Sequence, residues 1–349
     1  MISNSRRYLV FGAAGFIGQS LCLKLQQYGN VVAGADRSDS HLASLDAFYL
    51  GDLGEGSLAY EIILQQLHDL PEGTRLDIFQ LAAEMGGAGY IFSGDNDFEI
   101  MSKSIRINES VAGAIHRLSQ EGWPVAENLR LFFSSSACVY PVNLQMQPST
   151  VDLSEARAYP ANPDSEYGWE KLFSERLYMA LARETRVEVR IARFHNVYGP
   201  GGAWSGGREK APAAICRKVA QADDGGSVEV WGSGEQTRSF LFVDDCLEAS
   251  TLLMESELQS PVNIGSEEMV TINQLTQLVI GKSGKNLRIQ NVDSNQTGVA
   301  GRNSNNSLIY QELGWHPLVD LEAGIEKTYE WVEAQVAAAK AISSVSQDL

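Results

Sequence analysis

Tyr167-Gly168-Trp169-Glu170-Lys171 sets a phenol and an ammonium four residues apart, one helical turn, so both side chains stand on the same face. A phenol placed in this way can take the proton of an alcohol while hydride leaves the same carbon for a nicotinamide. The neighbouring ammonium favours the phenolate and can hold a cofactor ribose. Tyr-x-x-x-Lys also arises by chance on ordinary amphipathic helices, so context decides. Upstream, the apolar run 131–133 leads directly into Ser134-Ser135-Ser136.

Hydride needs an acceptor. Gly12-Ala13-Ala14-Gly15-Phe16-Ile17-Gly18 follows the apolar run 8–11 and opens a helix, where glycines let the backbone approach a pyrophosphate at the positive helix end. About 20 residues on, Asp36 ends a second apolar run, the place of an acid that binds the adenosine ribose. This favours NAD over NADP: Arg37 could hold a 2'-phosphate, but Asp36 would repel one.

The elements that must position these groups alternate along the chain. Apolar runs at 8–11, 31–35, 78–82, 131–133 and 187–192 are separated by helix-length segments, which predicts an α/β fold with a doubly wound parallel sheet. After His195 the chain turns Gly-rich, with Gly199-Pro200-Gly201-Gly202 and Gly206-Gly207, and a smaller second lobe begins. Residues 239–253 read as a strand and a helix that revisit the first lobe. The expected division is 1–195, rejoined by about 239–263, for the cofactor, and 196–238 with 264–349 for the substrate. Leu321, Ile325, Tyr329, Val332 and Val336 share one face of a last helix with Asp320 as its N-cap, and the tail from Ser343 is expected to fray.

This pattern resembles the extended short-chain dehydrogenase family over nearly the full chain. Four strings narrow the resemblance to its GDP-mannose 3,5-epimerases: residues 135–141 around Cys138, Met85-Gly86-Gly87, residues 193–200, and Gly206-Gly207-Arg208-Glu209-Lys210-Ala211-Pro212-Ala213-Ala214. Related 4-epimerases carry a small or hydroxyl residue where Cys138 stands. The resemblance implies Ser136 as the third partner of Tyr167 and Lys171, Cys138 as base and Lys210 as acid. It also makes Gly12, Gly15, Phe16, Ile17, Gly18, Asp36, Arg37, Asp52, Leu53, Leu81 and Ala82 cofactor contacts. By themselves Cys138 could be a small buried hydrophobe and Lys210 a solvated loop cation.

The implied chemistry explains why two such groups are needed. Oxidising a C4 hydroxyl to a ketone acidifies the hydrogens at C3 and C5, and inversion then takes a base on one face and an acid on the other. GDP-mannose would become GDP-L-galactose, or GDP-L-gulose if only C5 inverts; a related GDP-sugar inverted at C5 alone, or a non-catalytic NAD sensor, are the rival readings. An ordinary thiol has a pKa of ~8.5, so Cys138 needs a cation, for which oxidised nicotinamide, Lys171 and Lys210 are the candidates. At the substrate end the resemblance implies Gly86, Ser136, Ala137, Asn196, Glu209, Ala211, Lys218, Gln236, Thr237, Ser239, and Arg238 and Arg302 for the diphosphate. Trp204 and Trp231 are read as packing residues, and His195 as structural.

Composition sets the outer bounds. With 349 residues and 44% apolar content the chain can bury a large core, and a net charge of −17 argues against nucleic acid as partner. Cys22, Cys138, Cys216 and Cys246 are too scattered for a zinc site or redox pair, which suits a reducing, cytoplasmic setting. Arg6-Arg7 before an apolar stretch superficially resembles an export signal, yet a first buried strand fits better. No run reaches the ~20 apolar residues of a membrane span. The family implies NAD as cofactor, no metal, and a homodimer.

Overall fold

Tyr8 and Val10 turn to one side of the first strand and Leu9 and Phe11 to the other, and all four are buried. A strand covered on both faces belongs inside a parallel sheet layered by helices. The computed structural model describes residues 6–39, 45–149, 151–294 and 298–345. Its first part runs β1 (Arg7–Phe11), α1 (Phe16–Gln27), β2 (Val31–Asp36), β3 (Ala47–Leu50), α2 (Leu58–His68), β4 (Leu76–Gln80), α3 (Ala88–Ile91), α4 (Asp97–Gln120), α5 (Val125–Asn128), β5 (Leu129–Ser136), α6 (Glu166–Thr185) and β6 (Glu188–Phe194). It continues with β7 (Val197–Tyr198), α7 (Ala211–Gln221), β8 (Ser227–Trp231), β9 (Thr237–Ser239), β10 (Leu241–Phe242), α8 (Val243–Glu255), β11 (Val262–Ile264), β12 (Met269–Thr271), α9 (Ile272–Ser283), β13 (Arg288–Val292), β14 (Gly301–Arg302), α10 (Ser307–Leu313) and α11 (Leu321–Val345).

Seven parallel strands make the main sheet in the order β11-β6-β5-β4-β1-β2-β3. The chain leaves β1 in one direction and returns to β4 on its other side, so the crevice where the strand order reverses opens at the carboxyl ends of β1 and β4. One face of the sheet packs Leu9, Ile78 and Leu131 with Ile63 of α2 and Ile115 of α4. The opposite face packs Val10, Phe79 and Phe132 in a cluster that continues into Ile215 of α7, Val279 of α9 and Ile325 of α11. The doubly wound α/β architecture is therefore present.

Two strands carry too little signal to be read in advance. β3 has four residues and a half-exposed edge, and β11 has three. β4 starts at Leu76 and ends at Gln80, two residues before the apolar run suggested: its ladders with β1 and β5 close at Gln80, and the strand takes in the buried polar residues Asp77 and Gln80. The expected helix at the end forms with its five apolar residues buried, and the Asp320 carboxylate accepts the Ala323 N–H at 2.8 Å as an N-cap. It runs to Val345, past the expected fraying point at Ser343; residues 346–349 lie outside the described residues. Residues 7–11 form the buried strand, and Ser5 lies outside the described residues. Among those described, no helix is long and apolar enough to cross a membrane.

Candidate active site

A cleft of about 850 Å³ lies along the carboxyl ends of the sheet and is covered by residues of segment 196–238. It is lined by every cofactor and substrate residue named from the sequence except Thr237 and Ser239. Those two flank Arg238 on β9, and alternation along a strand turns them away from it. The Thr237 hydroxyl donates to the Pro148 carbonyl, and Ser239 is buried against Ser304.

At the cofactor end, Gly18 packs so tightly that a Cβ would come within 2.0 Å of the Gly12 carbonyl oxygen. The helix α1 thus starts against the turn, with Gly15 as an N-cap that has no side chain and no acidic residue in the first turn, leaving amides open to an anion. Asp36 is fixed to the same turn: its carboxylate accepts the Ala14 N–H at 2.9 Å and the Ser38 N–H at 3.1 Å. These residues fit a dinucleotide with an unphosphorylated ribose.

The chemistry end is built by α6 docking onto the end of β5. A Cβ on Gly168 would lie 2.2 Å from the Cys138 carbonyl oxygen, so glycine is what allows this approach, and it brings Tyr167 beside Cys138. The Ser165 side chain caps α6 by accepting the Gly168 N–H. Of the three serines, Ser134 donates to the Gln80 carbonyl and Ser135 to buried Glu175; Ser136 accepts the Cys138 N–H at 3.2 Å and favours the Tyr167 phenolate. Burial pushes the Tyr167 phenol well above its ordinary value, and Cys138 and Glu170 add to this. Burial also lowers the Lys171 ammonium, against the pull of Glu170 and Glu175. Lys171 donates to the Ser134 carbonyl at 3.1 Å, and its Nζ lies 5.7 Å from the centre of the Tyr167 ring.

Cys138 meets a cation that the sequence reading assigned elsewhere. Arg302 Nη1 reaches the Cys138 sulfur at 3.1 Å, Nε donates to Gln145 at 2.7 Å, and Nη2 pairs with buried Asp164. Burial pushes the thiol up; the Arg302 guanidinium pulls it back, and Asp164 opposes that pull. Arg302 therefore serves the thiol before any diphosphate, in the place given to nicotinamide, Lys171 or Lys210. Lys210 lies in the same neighbourhood: burial lowers its ammonium, and Cys246 and Cys138 oppose the shift, while Nζ donates to the Val197 carbonyl at 3.4 Å.

Farther along, Arg238 donates to the Thr237 and Val299 carbonyls at 2.7 Å each. Burial, and then the charge of Arg302, brings it down to about 9. Trp231 is 41% exposed and lines the cleft with the Lys218 ammonium 5.5 Å from its ring centre, whereas Trp204 packs on the core as expected. Glu209 is tied to Arg217 at 2.7 Å, and Lys218 donates to the Glu229 carbonyl at 2.8 Å. His195 is fully buried on Asn263, and burial lowers it to about 3, as suits a structural residue. Among the described residues no cluster of three or more His, Cys, Asp or Glu could hold a metal ion.

Residues 8–265 match the profile of the NAD dependent epimerase/dehydratase family. The chain belongs to this family. Its cofactor is accordingly NAD. Within the NAD dependent epimerase/dehydratase family, the chain is 38% identical to GDP-mannose 3,5-epimerase of Arabidopsis thaliana over 98% of its own length and 86% of that protein. It is 37% identical to GDP-mannose 3,5-epimerase 1 of Oryza sativa subsp. indica, covering 96% and 83%. Among solved structures of the family's fold, UDP-glucose 4-epimerase of Thermotoga maritima with UDP-glucose superposes with a TM-score of 0.79 at 25% identity, covering 95% of this chain and 99% of that one. Asp164, Gln145, Glu84 and Arg217 are among the polar residues of the site that sequence reading passed over. The first three meet partners far along the chain, where no spacing rule reaches, and Arg217 reads as an ordinary cation of α7 until Glu209 is seen beside it.

Proposed function

We propose that this chain catalyses the NAD-dependent epimerisation of GDP-mannose at C3 and C5 to GDP-L-galactose. The observation that carries the reading is that a thiol and an ammonium, Cys138 and Lys210, line the same cleft as the Tyr167 and Lys171 pair. The two relatives with GDP-mannose 3,5-epimerase names support it.

NAD, when bound, accepts hydride from the sugar C4 and gives it back. Tyr167 takes the C4 hydroxyl proton, with Ser136 holding the phenol. The resulting C4 ketone acidifies C3 and C5. Cys138, as thiolate beside Arg302, removes a proton, and Lys210, its ammonium made a better donor by burial, returns one from the other side. Repetition at the second carbon completes the double inversion. The Arg302 charge lowers the neighbouring Arg238 guanidinium, and a diphosphate at Arg238 would relieve this. Half-exposed Trp231 offers a flat face for guanine.

The division into 1–195 with 239–263, and 196–238 with 264–349, belongs to this reading, supported by the pairing of β11 on β6. So does a homodimer, for which Trp169 and Phe173, exposed one turn apart on α6, supply apolar surface. Four buried free cysteines suit a cytoplasmic location.

The test is incubation with GDP-mannose in deuterium oxide, following label at each sugar carbon by NMR together with product chromatography. Label at C3 and C5 with GDP-L-galactose formed is the expected outcome. Label at C5 alone would narrow the reaction to a 5-epimerase, and no exchange by NAD-loaded protein would sink the assignment.

A further inference from the structure

Glu84 follows the turn after β4, and its carboxylate is only 2% exposed. Its partners come from segments far apart in the chain. One oxygen takes Arg37 Nη1 at 3.2 Å, from the residue next to the ribose-facing Asp36. The other takes Arg208 Nη2 at 2.7 Å and the Tyr90 hydroxyl at 2.9 Å. Arg208 stands two residues before Lys210, and its guanidinium also stacks over the Tyr90 ring at 4.3 Å.

The backbone makes the same junction. The Gly87 N–H donates to the Arg208 carbonyl at 2.9 Å, and a Cβ on Gly87 would fall 2.1 Å from the Glu209 carbonyl oxygen. On the other side of the loop, Glu209 is held by Arg217 of α7. Lys210 is thus suspended between two ion pairs, one to the cofactor half and one to the substrate lobe. A buried carboxylate needs its cations, because removing one leaves desolvated charge unpaired. Glu84 accordingly keeps Arg208 and Arg37 drawn in together.

We propose that Glu84 is a positioning residue for proton transfer. By gripping Arg208 it sets where Lys210 stands relative to the sugar, and through Arg37 it ties that placement to the adenosine end of the cofactor site. The inference rests on reading Lys210 as the acid. The hydride step uses Tyr167 and Lys171, neither of which touches Glu84, so the two halves of the reaction should separate when Glu84 is changed.

The experiment compares native, Glu84→Gln and Glu84→Asp holoenzymes, each with bound NAD and Tm measured. In deuterium oxide with GDP-mannose, Glu84→Gln should lower kcat for label incorporation by on the order of tenfold to a hundredfold, as a misplacement near 1 Å does, with KM within about twofold. Reduced-cofactor absorbance should persist and rise at steady state, and Glu84→Asp should recover part of the rate. A native kcat in Glu84→Gln, or a loss shared equally by label incorporation and reduced-cofactor formation, overturns the proposal. Arg208→Gln carries the same expectations if Glu84→Gln does not fold. Amide hydrogen exchange across 206–210 in the NAD-loaded protein, faster in Glu84→Gln than in native, reads the same grip without substrate. Unchanged exchange there refutes the grip, while failure of the native enzyme on GDP-mannose refutes only the functional reading.

Discussion

Three serines stand in a row at the end of β5, and their partners tell them apart: a carbonyl for Ser134, a buried carboxylate for Ser135, the Cys138 backbone amide for Ser136. The same sorting by contact applies to the arginines. Arg302 is separated from Cys138 by 164 residues, yet it is the cation at the sulfur. Its removal has a definite sign. Without that charge the thiolate is less favoured and the folded thiol rises further, so the acid limb of the kcat/KM profile should move to higher pH in Arg302→Gln. Each unit of movement would cost about tenfold at a pH below the limb. The profile of Cys138→Ser must lack or shift that limb; an unmoved limb in Arg302→Gln would return the thiol to the care of the cofactor or the lysines.

At the scale of elements, the decisive contact is between the start of α6 and the end of β5. Gly168→Ala places a methyl group against backbone, which cannot rotate away. It should cost roughly 1–3 kcal/mol in urea unfolding and move Tyr167 off its partner, with a loss of activity much larger than the loss of stability. Native activity in this variant would mean that the helix has slack. The elements themselves were legible in proportion to their length and period. The five apolar runs all became strands of the main sheet, and the helix from Leu321 kept its face and cap, because hydrophobic periodicity is local information. β3 and β11, at the two edges, are too short to show a period. In the site, Tyr167, Lys171 and the glycine turn were legible from spacing, Cys138 and Lys210 only through resemblance. Asp164, Gln145 and Glu84 were not, since each acts on a residue brought near by the tertiary fold.

For the whole molecule, the apolar cluster on one face of the sheet continues without a break into α7, α9 and α11. Heating should therefore give one transition, coincident by tryptophan fluorescence and calorimetry. NAD at a hundred times its Kd should stabilise the folded state by about 2.7 kcal/mol. Two separated transitions would mean that the lobes unfold independently. The order of the strands carries one more consequence. Asp36 ends β2 and Ser136 ends β5, three strand positions away, and strands lie ~4.8 Å apart, so about 14 Å of rigid sheet separates the two. The sheet is a ruler. A ligand shorter than that gap can occupy the Asp36 end or the Tyr167 end but not both, so a fragment such as AMP would compete for the Asp36 seat without ever reaching the phenol.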